Sequence, residues 1–246
     1  MSDVERPSGL NLSPRAVAHW TRRYIGLGEP SVDLDKLLTT LNLGLREVDS
    51  CPRSSRLAVS ETGLEVQVRR AAPPIQRFWI AHEVGHFLVA TKFEIPFRDQ
   101  VTDSRYESFC NSFASHLLLP GSWLRQEVAD HDASLVTALT VASHAQTSIL
   151  ATVAALNQRA GWDSVLVMWK IDRTGRWRAS SVIGQANCGL IGSTDDTTAH
   201  LDNLDARAQR LELPLEVGGT RRQVHGEAIR WRDHCFSLFQ RSALAS

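Results

Sequence analysis

The sequence predicts an α+β fold: a mainly helical N-terminal two-thirds that carries a small sheet, then a small β-rich C-terminal part. Three observations carry this. Apolar residues recur at helical spacing through much of 13–161, most densely at 75–91 and 104–119. Three short stretches, 45–49, 56–60 and 64–69, read instead as strands. After Gly161 the character changes, and 165–171 and 176–182 flank Asp172-Arg173-Thr174-Gly175, a hairpin signal.

Taken in order, residues 1–12 are polar with Pro7 and Gly9 and read as a flexible arm. Ser13-Pro14 is a helix start, with Ser as N-cap and Pro in the first turn. Val17, Trp20, Tyr24 and Ile25 follow as its apolar stripe up to Gly26. Residues 33–43 read as a second helix that Gly44 ends. In 64–69, Leu64, Val66 and Val68 alternate with Glu65, Gln67 and Arg69, so one face is expected to be buried. Glu61-Thr62-Gly63 is the turn before it, and Pro73-Pro74 stops the strand. The helix at 75–91 leads through a looser segment, 92–103, into the helix at 104–119, which ends at Pro120-Gly121. A short helix at 122–128 and two more at 134–144 and 148–160 follow. Residues 184–220 give no clear pattern, and 224–231 with 234–240 read as two strands or as a strand and a helix. The expected divisions are 1–12, 13–121, 122–161 and an α/β C-terminal domain at 162–246.

The chain has 246 residues, 43% of them hydrophobic, enough for a real core. Lys plus Arg and Asp plus Glu number 27 each, so there is no global attraction to nucleic acid or anionic membrane. The helices at 134–160 carry Arg159 as their one Arg or Lys, so direct DNA binding is not expected of them. The cluster Arg221, Arg222, Arg230, Trp231 and Arg232 reads as a solvated strand face. Trp169 and Trp177 read as core. No apolar run approaches a bilayer span, and the first residues do not resemble a secretion signal. The scattered cysteines Cys51, Cys110, Cys188 and Cys235 fit reduced thiols, and a cytoplasmic location is expected.

The chemistry is concentrated in His82-Glu83-Val84-Gly85-His86. Residues i and i+4 share a helix face, so His82 and His86 can reach one ion. Glu83 is turned by about 100° around the helix. It reaches a water on the metal instead, as general base. Two capping or surface histidines four apart would be the plainer reading, but the apolar neighbours Phe78, Trp79, Phe87, Leu88 and Val89 bury this helix. Gly85 either leaves space near the ion or serves helix packing. Catalytic zinc takes three protein ligands and an open position. Glu107, on the 104–119 helix, is the leading third ligand. The alternative for it is an exposed acid at a helix N-terminus. Glu94, Asp99 and Asp103 are rivals in or beside the looser segment. Asn111 either orients a ligand or ties the two helices together. His116 falls on another face, and His225 and His234 are distant candidates for donors to a transition state. Zinc and manganese both suit two imidazoles and a carboxylate.

The run from Arg77 to His86, followed by Glu107 to Pro120, resembles the ImmA/IrrE family of bacterial metallopeptidases. The resemblance covers about residues 30–121. It implies a zincin-like peptidase domain over 13–121 with His82, His86 and Glu107 as zinc ligands and Glu83 as the catalytic acid/base. It implies a helix-turn-helix-like pair within 122–161 and a reduced GAF-like C-terminal domain. By the same resemblance the partner is a helix-turn-helix transcriptional repressor, cleaved to switch on stress or mobile-element genes. The alternative is a non-catalytic anti-repressor or sensor in which zinc is structural.

Overall fold

The computed structural model describes residues 13–28, 30–51, 53–97, 100, 103–184 and 191–245. The architecture is α+β, and the chain divides into two units: Met1–Trp123 with Ser143–Ser148, and Leu124–Ala142 with Ile149–Ser246.

In the first unit, helix α1 (Pro14–Ile25) starts where the Ser13 hydroxyl accepts from the Ala16 N–H at 3.1 Å, and it stops at Gly26, whose φ of 63° only glycine adopts freely. Its buried face is Val17, Ala18, Thr21, Arg22 and Ile25. Trp20 and Tyr24 do not belong to it, contrary to expectation. They are 45% and 69% exposed and stack on each other at 5.0 Å. Arg22 takes up the buried arc instead, because its guanidinium donates to the Leu117 carbonyl at 2.8 Å. Helix α2 (Leu34–Thr40) is capped by Asp33 and ends earlier than expected. Asn42 makes the turn with a φ of 52°, and Gly44 opens the next strand, so it does not terminate the helix.

Strands β1 (Gly44–Val48), β2 (Ser55–Ser60) and β3 (Gly63–Arg69) form a sheet of order β1-β3-β2. β1 runs parallel to β3 and β2 antiparallel to it, so β2 is an edge strand. Central β3 buries Val66 and Val68, but also Glu65 and Gln67. The polar face stays covered because Gln67 donates to Glu65 and accepts from Arg56 across the hairpin at 2.8 Å. Helix α3 (Pro73–Lys92) begins with the two prolines read as a strand stop, since a proline in the first helical turn loses no hydrogen bond. Helix α4 (Ser104–Leu118) is capped by Asp103, and the short α5 (Gly121–Glu127), whose residues from Leu124 on belong to the second unit, follows. Helices α3 and α4 approach so closely that a Cβ at Gly85 would lie 3.1 Å from the Cα of Cys110.

Helix α6 (Leu135–Ala145), which belongs to the second unit up to Ala142, and α7 (Ile149–Arg159) of that unit meet at 106°. Six strands follow: β4 (Ser164–Ile171), β5 (Trp177–Ile183), β6 (Ile191–Ser193), β7 (Gln209–Val217), β8 (Thr220–Trp231) and β9 (His234–Gln240). Their order is β5-β4-β9-β8-β7-β6, with antiparallel neighbours throughout. Both 224–231 and 234–240 are therefore strands. Helices α8 (Asp195–Asp202) and α9 (Arg241–Ala245) add Leu201 and Leu244 to a core of Val165, Val167, Trp169, Trp177, Leu215 and Phe239. Trp169 donates to Ser237 and Trp177 to Asp202, which lets both indoles be buried without losing their polar partner. Among the described residues no single helix is long and apolar enough to cross a membrane.

Candidate metal centre

Two helices and one strand build the centre. Helix α3 brings His82 and His86 to one side, a turn apart, and α4 brings Glu107 from its first turn. Their ligand atoms all lie within 4.8 Å of one another. The two Nε2 atoms are 3.1 Å apart, and the Glu107 oxygens lie 3.3 Å from His82 Nε2 and 3.6 Å from His86 Nε2.

The outer hydrogen bonds fix which nitrogens are free. The His82 Nδ1–H donates to Asn111 Oδ1 at 2.9 Å. The His86 Nδ1–H donates to Gln100 Oε1 at 2.8 Å. Gln100 is fully buried, and its amide nitrogen donates to the Ile95 carbonyl at 2.8 Å, so its oxygen must face the imidazole. Both Nε2 atoms then carry lone pairs. Burial first, and the neighbouring His86 second, hold the His82 imidazole below its ordinary pKa, with Glu107 pulling the other way. Three electron-pair donors thus face one another, and a divalent cation between them satisfies all three. The donor set fits a metal ion.

Glu83 stands outside the set. It is 6% exposed, and the Ser55 hydroxyl of β2 donates to its Oε1 at 2.7 Å. Burial pushes its carboxyl above the usual range, opposed by the Ser55 hydrogen bond. A cleft of about 460 Å³ opens over the centre, lined by Ser55 and Leu57 of β2, by Phe78 and Trp79 of α3, and by Arg53 and Phe97.

Of the rival ligands, Asp103 is the α4 N-cap, held by Arg105, and Glu94 is exposed with a φ of 57°. Asp99 lies outside the described residues. His116 is half-buried elsewhere on α4. His225 and His234 sit on β8 and β9 of the second unit, the first facing Glu212 at 4.0 Å and the second stacked on Phe236. Gly85 serves helix packing, because the room its missing side chain leaves is taken by Cys110. Sequence reasoning missed Gln100, Ser55 and Arg53. Gln100 had a signal: a ligand imidazole needs an acceptor on its other nitrogen, and an amide in 92–103 supplies one as well as an acid does. Ser55 and Arg53 had none, since no spacing rule links a strand entry to a helix after it.

Residues 67–157, which include both helices of the centre, match the model of the IrrE N-terminal-like domain, peptidase M78. Over these residues the match supports the resemblance to the ImmA/IrrE metallopeptidases. No curated protein matches the chain. Among solved structures, a Mycobacterium tuberculosis transcriptional regulator has a similar fold, with a TM-score of 0.53 at 14% identity over 92% of this chain and 86% of that one. The IrrE-like match begins in β3, so β1 and β2, with the serine that touches Glu83, lie before it.

Proposed function

We propose that the chain is a zinc-dependent endopeptidase and that its substrate is a helix-turn-helix transcriptional repressor, cut to derepress stress or mobile-element genes. The observation that carries the reading is the convergence of His82, His86 and Glu107 beside a buried Glu83 that is not part of the ligand set. A purely structural ion has no use for such a base. Two imidazoles and a carboxylate leave one open position on a tetrahedral ion, and manganese remains an alternative occupant. When bound, the ion supplies Lewis acidity that draws the pKa of a water towards about 7.

The remaining work belongs to the chain's own residues. Asn111 and Gln100 hold the imidazoles in the tautomer that ligates. Glu83, steadied by Ser55, takes a proton from the attacking water and returns it to the leaving amine. The free side of β2 offers backbone donors and acceptors to an extended peptide, and Phe78, Trp79 and Phe97 offer it apolar walls. The repressor as substrate rests on the family resemblance, and a similar fold in a protein described as a transcriptional regulator suits that setting.

The test is incubation of the zinc-loaded protein with the helix-turn-helix repressors encoded beside its gene. Wild type is expected to cut one of them. Glu83→Gln is expected to retain the metal and cut at least about 100-fold more slowly. Cutting at the wild-type rate by Glu83→Gln would remove the base assignment. Equal derepression in cells by both proteins would favour the non-catalytic anti-repressor.

A further inference from the structure

We infer that Arg53 is a positioning residue of the metal centre: by holding Glu107 Oε1 it fixes the direction in which the carboxylate faces the two imidazoles. The inference rests on the metal-centre reading given above.

The guanidinium Nη1 of Arg53 donates to Glu107 Oε1 at 2.7 Å. That same oxygen lies 3.6 Å from His86 Nε2, and Oε2 lies 3.3 Å from His82 Nε2. Glu107 needs such a constraint more than the histidines do. Its side chain has three torsions and is 33% exposed, so packing alone leaves it freedom to rotate. The histidines have short, mostly buried side chains, and each already has an outer acceptor, Asn111 or Gln100. With Arg53, all three ligand side chains have one outer hydrogen bond that fixes their direction. An arginine suits this place because its charge-assisted bond to a carboxylate is short and directional. The other cation lining the cleft, Arg56, points its Nε at Gln67 instead. Arg53 lies two residues before Ser55, which donates to Glu83. The entry to β2 therefore orders both acids of the centre.

An opposing effect exists. A guanidinium near a divalent ion repels it, so removing Arg53 could tighten binding if repulsion outweighed ordering. The sign of the change in affinity decides between the two.

The experiment is a chelator-competition titration of the full chain with Zn²⁺ and with Mn²⁺, alongside thermal melts of the ion-free proteins. Arg53→Met is expected to lower metal affinity by about 10- to 100-fold without moving the ion-free melt, and Arg53→Lys to recover part of the loss. Arg53→Ala gives the same readout if the methionine variant does not fold. Unchanged or tighter binding by the variants would overturn the role of Arg53 and leave the centre standing. Failure of the wild type to bind either ion would overturn the centre itself.

Discussion

At the scale of single residues, burial decides which groups react. Cys110 and Cys235 are fully buried and Cys51 is half-buried. Burial pushes the Cys235 thiol up to about 12, and it raises Cys110 too, with the carboxylates of Glu107 and Glu83 adding to the effect. Thiolate is the reactive form, and a raised pKa keeps a thiol protonated until the pH climbs to that value. Iodoacetamide at about pH 8 is therefore expected to label Cys51 and spare Cys110 and Cys235 in the native protein, as read by peptide mass mapping. Labelling of Cys110 without unfolding would contradict the packing around it. The same scale shows what could be read from the chain alone. His82, Glu83 and His86 were legible because helical geometry links neighbours a turn apart. Glu107 was legible as a carboxylate on a helix with an otherwise apolar face. Arg53 and Ser55 were not, because their relation to the centre exists only once β2 is laid beside α3.

At the scale of elements, caps and periods located most helices, and errors arose where one residue type has two uses. Pro73-Pro74 opens α3 although prolines also stop strands. In β7, Leu211, Leu213, Leu215 and Val217 alternate with polar residues and Pro214, within the stretch 184–220 that gave no clear pattern, and a proline is unusual inside a strand. The structure tolerates it because β6 pairs only with Leu215 to Val217, so Pro214 faces no partner there that needs its missing N–H. Helices α3 and α4 pack closely at Gly85. Gly85→Ala would place a methyl 3.1 Å from Cys110 Cα and 3.2 Å from its Sγ. The sulfur can rotate, but the backbone cannot yield without the helices parting. The expected cost is about 1–3 kcal/mol in a denaturant titration, and a variant as stable as wild type would mean that the helices separate freely.

At the scale of the whole molecule, the chain interleaves its two units: residues Ser143–Ser148 belong with the first, although Leu124–Ala142 and Ile149–Ser246 on either side belong with the second. A linear reading has no means of showing such an exchange, because hydrophobic period reports on faces and not on which core a face joins. The cluster lies wholly within the first unit, so an ion bound there stabilises that unit by mass action. Zinc at about a hundredfold over its dissociation constant adds about 2.7 kcal/mol. Calorimetry is expected to show at least one transition move upward with zinc in wild type and none in His82→Ala. A shift of equal size in the variant would place the stabilising ion elsewhere.

One strand edge carries a last consequence. The hydroxyl that steadies Glu83 belongs to β2, and β2 is also the strand with a free flank beside the cleft. If a substrate chain docks along that flank, as proposed, the strand it pairs with is the one that carries the serine. Grip on the docked chain and placement of the proton acceptor would then rest on one strand, so lengthening a peptide away from its scissile bond is expected to quicken its turnover as well as tighten its hold.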